Sequence, residues 1–230
     1  MMKLPRPVNF PWIIFTFFIL ISSVNYGQSV QFKLDLSPRI TWFQTNITEG
    51  ISTDGSTFGY QAGLGMYLFF APHYAFSSGI HIIQAGGKLS YSDTVTIQLK
   101  EDMVTLPGRE IMTTQLQYVS LPLGLHFETV EIGYFRFYTD MGINVLYRVA
   151  STVSTSAHTI EKGFLNNETR VINITYYGTA GLSYSLGEST ALQFGLSYTH
   201  GLLDITADAA EKPHDRLIFH SLGVSTSIIF

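Results

Sequence analysis

The chain has 230 residues and a net charge of −4 at neutral pH, with 13% charged and 14% aromatic residues. This mild charge, without any basic cluster, argues against a nucleic-acid partner. The chain contains no cysteine, which excludes disulfides, thiol chemistry, cysteine-ligated metals and a lipid-anchored start.

The first 27 residues are typical of a secretory signal peptide. Lys3 and Arg6 provide a short positive region, residues 13–24 form an apolar core, and the small residue Gly27 precedes a plausible cleavage point. The alternative is a retained anchor helix, but the apolar run is shorter than the roughly 20 residues that a spanning helix needs. We therefore predict a mature chain that begins near Gln28 and forms one domain over residues 28–230.

Apolar side chains occupy alternate positions at the carboxyl end of the chain. Side chains alternate between the two faces of a strand, so this segment has one mostly apolar face and one face of mostly small, polar side chains. A polar inner face with lipid outside is the arrangement of an outer-membrane barrel. The first face carries Ile218, His220, Leu222, Val224, Thr226, Ile228 and Phe230; the second carries Phe219, Ser221, Gly223, Ser225, Ser227 and Ile229.

The same alternation recurs seven more times along the chain. The runs cover residues 32–42, 58–70, 74–82, 119–127, 135–147, 172–184 and 192–202. Each can cross a bilayer as a tilted strand, which takes roughly 9–11 residues. Connections 71–73, 128–133 and 187–189 are short, whereas 44–57, 88–111, 151–170 and 204–215 are long and polar.

These features predict an all-β fold: an eight-stranded antiparallel transmembrane β-barrel with up-and-down meander topology, following the signal peptide. Short periplasmic turns and long outer loops are typical of outer-membrane barrels. We expect a bacterial outer-membrane location with both termini in the periplasm. A lipocalin-like soluble barrel is the alternative, and its apolar face would point inward around a ligand.

Aromatic residues cluster near the predicted strand ends, where their amphipathic rings suit membrane interfaces. Ordinary β-propensity accounts for some of them. The predicted periplasmic group is Phe69, Phe70, Tyr74, Phe76, Phe127, Tyr134, Phe135, Tyr184 and Phe230; the predicted outer group is Trp42, Phe58, Tyr60, Tyr147, Tyr176 and Tyr198.

The predicted inner face carries a set of charged and polar residues. Eight strands leave an interior that side chains can fill, and charges there must pair or hold water. We expect a packed plug of ion pairs, with Asp140 paired to a cation of a neighbouring strand; the alternative is a solute path or a gate. The luminal set is Lys33, Asp35, Arg39, Arg136, Asp140, Asn144 and Arg148, with Tyr118, Ser120, His126 and Glu128 from the fourth strand.

A second group of titratable residues gathers at the outer ends of the last two strands. It comprises His200, Asp204, His214, Asp215 and His220, and serines are abundant nearby. A rim hydrolase or acyltransferase, or a metal site, could be built from such residues. The chain has neither a Gly-x-Ser-x-Gly elbow nor a His-Glu-x-x-His motif. We predict no catalytic residue, no cofactor and no metal.

One strand carries a resemblance to a known family. Residues 116–123 read Leu-Gln-Tyr-Val-Ser-Leu-Pro-Leu and resemble the Leu-x-Tyr-Leu-Glu-Ile-Pro-Leu strand of the PorT-like outer-membrane barrels of Bacteroidetes. Ser120 stands where that pattern often has Glu. Residues 79–88, 181–184 and 196–205 also look like segments of that family. The resemblance implies an outer-membrane barrel, and the family's founder implies a role in type IX protein secretion.

Two residues of this strand predict local irregularity. Pro122 lies inside the strand and removes a donor of the hydrogen-bond ladder, which favours a bulge or a bend. Gly124 leaves space for another group on the luminal face.

Together these features predict a non-enzymatic structural, assembly or secretion-linked component that works through its outer loops or through partner contacts. Expected partners are outer-membrane lipid, the barrel-insertion machinery that reads the terminal Phe230, and secretion-system proteins. A small-solute pore or ligand-binding barrel, and an enzyme at the rim, are the alternatives.

Overall fold

The computed structural model describes residues 29–45, 51–91, 95–98, 103–106, 111–155, 170–187, 189–205 and 217–230. The predicted signal peptide lies outside these residues. Within them, no helix is long and apolar enough to cross a membrane. The strands are β1 (Val30–Thr45), β2 (Ile51–Gly55), β3 (Thr57–Ala71), β4 (Tyr74–Tyr91), β5 (Val95–Gln98), β6 (Met103–Leu106), β7 (Ile111–Glu128), β8 (Phe135–Thr155), β9 (Ile172–Ser185), β10 (Ala191–Gly201) and β11 (Leu217–Ile229).

Eight of these strands close into an antiparallel barrel, which confirms the predicted fold. Strands β1, β3, β4, β7, β8, β9, β10 and β11 pair in chain order, and β11 returns to β1 with Lys33 opposite Ile229 and Thr45 opposite Leu217. We call the end with the β3–β4, β7–β8 and β9–β10 connections the short-turn end. The opposite end is the long-loop end.

Further strands lie within two segments that were predicted as polar loops. Strand β2 pairs with β4 from Ile51 opposite Tyr91 to Gly55 opposite Lys88, with a register shift after Thr53. It continues the ladder beyond Tyr60, where the pairing of β3 with β4 stops, and so covers an otherwise free strand edge. Strands β5 and β6 form a separate hairpin. The sequence therefore predicted that these two connections are long, but it did not predict the strands within them.

The apolar face of each strand points outward. Leu196 and Ile80 are each 65% exposed, whereas Gln193 on the opposite face is 1% exposed. A soluble barrel would not expose apolar side chains around its wall, so the lipocalin-like alternative is wrong. The wall instead has the apolar exterior that a bilayer requires.

Aromatic rings collect around the wall at the short-turn end. Phe70 stacks near Tyr74 and Phe76, Phe135 packs on Tyr184, and Phe32 lies 6.4 Å from Phe230 between ring centroids. Phe69 was expected in this group, but it points into the lumen and is 6% exposed. Its odd position on β3 places it on the inner face.

Pro122 does not produce the expected bulge. It stays in register opposite Asn144, and the irregularity between β7 and β8 lies instead between Gln117 and Tyr118. Gly124 does leave luminal space: a Cβ atom there would lie 2.5 Å from the Tyr177 hydroxyl.

Candidate functional site: the filled lumen

Most of the charged residues predicted for the lumen are buried on the inner face. Lys33, Asp35, Arg39, Asp140, Asn144 and Arg148 are all 4–8% exposed. Arg136 differs, because it lies at the short-turn end with its side chain 31% exposed. Strands β1 and β8 supply all of these residues and face each other across the barrel.

Lys33 is the cation at the centre of the network. Its Nζ lies 3.4 Å from Asp35 and 3.8 Å from Asp140, and it donates to the Tyr67 hydroxyl at 3.2 Å. Gly65 makes room for it, since a Cβ atom there would lie 2.6 Å from Lys33 Cε. One ammonium thus bridges carboxylates from opposite walls.

Asp35 is held by two further contacts. His81 Nε2 donates to Oδ2 at 2.8 Å, and the Ser227 hydroxyl donates to Oδ1 at 2.5 Å. Desolvation of a buried carboxylate is costly, and these donors together with Lys33 offset that cost.

Asp140 has a matching environment on the other wall. His126 Nδ1 donates to Oδ1 at 2.7 Å, and the Tyr67 hydroxyl donates to Oδ2 at 2.8 Å. The Tyr67 and His126 rings stack with centroids 4.0 Å apart. The neighbouring strand β7 therefore supplies an imidazole, whereas the permanent cation Lys33 comes from across the lumen. The expected pairing of Asp140 with a lysine or arginine is therefore confirmed, but the expectation that this partner lies on a neighbouring strand was wrong.

The network reaches the short-turn end through a chain of charges. His126 Nε2 lies 3.6 Å from Glu128, Glu128 lies 3.6 Å from Arg136, and Arg136 donates to Glu131 at 2.6 Å. Hydrogen bonds from Arg136, and then from Ser185, hold the pKa of the exposed Glu131 carboxyl below its usual value. Solvent screens this outer pair, so it contributes little to stability.

Arg39 stands apart from these ion pairs. It is 4% exposed, and its guanidinium donates only to neutral groups, Gln61 Oε1 at 2.5 Å and Ser221 Oγ at 3.3 Å. No carboxylate of the described residues lies within 4 Å of it. Its Nε has no hydrogen-bond partner in that part of the chain.

A small polar cavity lies between Arg39 and the Lys33 network. Its water-accessible volume is about 40 Å³, and Lys33, Asp35, Arg39, Asp140 and His81 all line it. The rest of its lining is mainly hydroxyl and amide groups. The cavity has room for a few waters but not for a continuous column through the barrel.

The long-loop end of the lumen is filled by apolar side chains, which the sequence analysis missed. We call this group the apolar plug. Asn144 lies below it and donates to Thr175 at 3.1 Å, whereas Arg148 lies opposite Tyr118, at the level of the plug. The plug comprises Phe43, Ile83, Ala85, Leu89, Met112, Leu116, Tyr118, Leu146, Ile205, Leu217 and Phe219.

A signal for the plug was present in the sequence. Phe43 ends the polar inner row of β1, and Phe219 lies on the inner, serine-rich row of β11. Each looks like an exception to the alternation when its strand is considered alone. A smaller group at the short-turn end, Tyr67, Phe69, Ala75 and Ile229, closes the other side.

The luminal groups do not form a nucleophile arrangement. Asp35 lies between Ser227 and His81, so the serine hydroxyl donates to the carboxylate rather than to the imidazole. Activation of serine requires the imidazole as its direct base. Among the described residues, no group of three metal-ligating side chains is positioned to hold a metal ion.

The rim histidines lie on the outside of the wall. His200 and His220 have their Nδ1 atoms 3.2 Å apart, and His220 stacks on Trp42 with centroids 5.6 Å apart. Asp204 accepts from the Leu217 backbone N–H at 2.9 Å, a contact that holds the loop base. His214 and Asp215 fall outside the described residues. His200 and His220 thus join an aromatic row with Trp42 and Tyr176 at the long-loop end.

Three solved structures are similar to this chain. Neisserial surface protein A has 10% identity and a TM-score of 0.50, covering 89% of this chain and 100% of its own. Ail of Yersinia pestis has 11% identity and a TM-score of 0.41, with coverage of 88% and 99%. OprG of Pseudomonas aeruginosa has 10% identity and a TM-score of 0.43, with coverage of 89% and 96%. Identity this low shows the fold alone.

A family profile assigns this chain to a family, whereas curated sequences do not. No curated protein matches the chain. The profile of the outer membrane protein beta-barrel domain matches residues 22–207, which is most of the chain. This match agrees with the closed barrel, its apolar exterior and its aromatic ring. The chain is a member of the outer membrane protein beta-barrel domain family.

Proposed function

We propose that this protein is a non-conducting, non-enzymatic outer-membrane barrel that acts through its long loops and partner proteins. The observation that carries the proposal is the filled lumen: ion pairs occupy the middle, and the apolar plug occupies the long-loop end. Opening a path would require moving packed side chains and separating buried charges, and both cost free energy.

In the orientation that we propose, the short-turn end and both termini lie in the periplasm. Short periplasmic turns and long outer loops are the usual arrangement of bacterial barrels. The segments available to partners are then 44–57, 88–111, 151–170 and 204–215. The sequence resemblance to PorT-like barrels supports a secretion-linked role for these contacts.

Single-channel recording in planar bilayers tests the non-conducting state. We expect no steady conductance from the purified protein. A triple variant with Leu116→Ser, Leu146→Ser and Phe219→Ser loosens the apolar plug but leaves the Lys33 network intact, and it serves as the matched comparison. Steady, large conductance from the unmodified protein would instead support the small-solute pore.

A pull-down from native outer membrane tests the role of the loops. We expect defined partners to co-purify with the tagged protein and to be lost when residues 156–169 are replaced by a Gly-Ser linker. Replacement of the short turn 187–189 is the control and should retain them. Both variants should first show the heat-modifiable migration of a folded barrel. Identical partner sets for all three proteins would contradict action through that loop.

A further inference from the structure

Two histidines face each other across adjacent strands on the outside of the wall, at the long-loop end. His200 of β10 is the register partner of His220 of β11. Their Nδ1 atoms are 3.2 Å apart, and the planes of the two rings are inclined by 77°. The function proposed above assigns no role to this pair.

Hydrogen bonding alone does not satisfy the groups around His220. The Tyr198 hydroxyl lies 3.0 Å from His220 Nδ1, so this nitrogen has two close neighbours, the hydroxyl and His200 Nδ1. A nitrogen of a neutral imidazole has either one N–H or one lone pair. It can therefore form one strong hydrogen bond but not two. A metal ion that accepts the lone pairs of both Nδ1 atoms removes this competition.

The spacing of the two nitrogens is that of two ligands of one metal ion. Zinc binds imidazole nitrogen at about 2.0–2.1 Å with tetrahedral geometry, which separates two such nitrogens by about 3.3 Å. The observed separation of 3.2 Å agrees with this value. Imidazole suits Zn²⁺ and Cu²⁺, whereas Mg²⁺ and Ca²⁺ prefer oxygen ligands. The pair is therefore suited to a divalent transition metal.

Neighbouring aromatic rings hold both imidazoles in place. Trp42 stacks on His220 with an interplanar angle of 8°, and the Tyr176 ring centroid lies 4.9 Å from that of His200. Each of these residues is also the register partner of the histidine that it contacts. His220 is 5% exposed and Tyr198 beside it is 38% exposed, which leaves the Tyr198 side as the approach for an ion. Preorganised ligands lose little conformational entropy on binding.

We propose that His200 and His220 bind one divalent transition-metal ion, such as zinc, through their Nδ1 atoms. No His, Cys, Asp or Glu of the described residues completes a three-ligand group with them. Water therefore fills the remaining positions, and the Tyr198 hydroxyl hydrogen-bonds to one such water. The ion links β10 to β11 at the root of the 204–215 loop. This proposal replaces the expectation of no metal at the rim, and it is independent of the proposed action through loops and partners.

Quenching of tryptophan fluorescence by Cu²⁺ is the direct probe. Of the two tryptophans, Trp12 lies in the predicted signal peptide, so Trp42 is the only one in the predicted mature chain. We expect saturable quenching by one equivalent of Cu²⁺ in protein purified without a histidine tag. An excess of Zn²⁺, which binds such sites more weakly than Cu²⁺, should restore the fluorescence. Absence of saturable quenching would overturn the proposal.

Single substitutions assign the binding to this pair. His200→Gln and His220→Gln each remove one of two linked ligands, so the Kd for Cu²⁺ should rise about 100-fold or more. His73→Gln removes a histidine at the short-turn end and is the matched control, which should bind as the unmodified protein does. Tyr198→Phe should have a smaller effect than either histidine variant. All variants should first show the heat-modifiable migration of a folded barrel. Unchanged quenching in either histidine variant would contradict the assignment.

Anomalous X-ray scattering at the zinc edge tests the site without any variant. In crystals of the unmodified protein grown with zinc chloride, we expect a peak about 2.0–2.1 Å from both Nδ1 atoms. Zinc peaks at other positions alone would show that the two histidines share only a hydrogen bond.

Discussion

The middle of the lumen and its long-loop end are closed by different forces. In the middle, Lys33 and Asp140 form a network in which each polar group depends on its partner. At the long-loop end, side chains such as Leu116 and Leu146 pack without charge, each 1% exposed. Removing one member therefore strands a charge in the first region and leaves a void in the second. The two regions should differ in how a single substitution is tolerated.

The largest effect should come from breaking the polar region. Asp140→Ala leaves Lys33 with one carboxylate fewer and His126 without its acceptor, and it should destabilise the barrel by about 3–5 kcal/mol. Unfolding in urea, followed by the fluorescence of Trp42 in lipid vesicles, measures this loss. Asp140→Asn is the matched control, because it removes the charge but keeps the volume and an acceptor. If Asp140→Ala lowers the free energy of unfolding no more than a surface substitution does, this carboxylate does not hold the network together.

The apolar plug should respond to lost volume. Leu146→Ala creates a cavity among buried apolar side chains and should cost about 2–5 kcal/mol in the same unfolding measurement. Leu146→Ile conserves volume and should cost less than about 1.5 kcal/mol. If both substitutions cost the same, the plug is loosely packed and the contrast with the polar region is weaker than proposed.

The outer wall is a third region, and its apolar side chains face lipid instead of the lumen. Leu196 lies opposite Val224 on the lipid face, and Leu196→Arg near the middle of the membrane should cost about 2–4 kcal/mol. Ile228→Arg, near the short-turn end, should cost much less because its charge can reach the interface. Folding titrations into vesicles measure both. Equal, small losses at the two positions would argue against lipid contact along this face.

The smallest effect should appear at the exposed end of the charge chain. The Glu131 carboxyl has a pKa below its usual value, first because of Arg136 and then because of Ser185. Its contribution to stability is therefore present above the unfolded-state pKa and is lost as the pH falls through the lower folded-state pKa. NMR titration should show this low pKa, and Arg136→Gln should raise it toward the ordinary value. An unchanged titration in Arg136→Gln would mean that Arg136 does not hold the carboxyl.

Much of this architecture followed from period-two alternation. A strand places Leu196 and Gly195 on opposite faces whatever surrounds them, so the lipid face of β10 and β11 could be assigned from sequence. The eight alternating runs also gave the number of strands. Burial of Lys33, Asp35 and Arg39 on one face of β1 followed in the same way.

Tertiary structure decided which inner side chains meet. Alternation assigns a face but not a neighbour across the lumen, so it made Lys33 one candidate partner of Asp140, 107 positions later in the chain, but could not select it. Phe43 and Phe219 looked like isolated exceptions until barrel closure brought their strands together and packed both into the apolar plug. The isolation of Arg39 likewise emerged only when every nearby carboxylate was found with another partner. Contact in a closed barrel depends on register and strand order, and a single strand's sequence encodes neither.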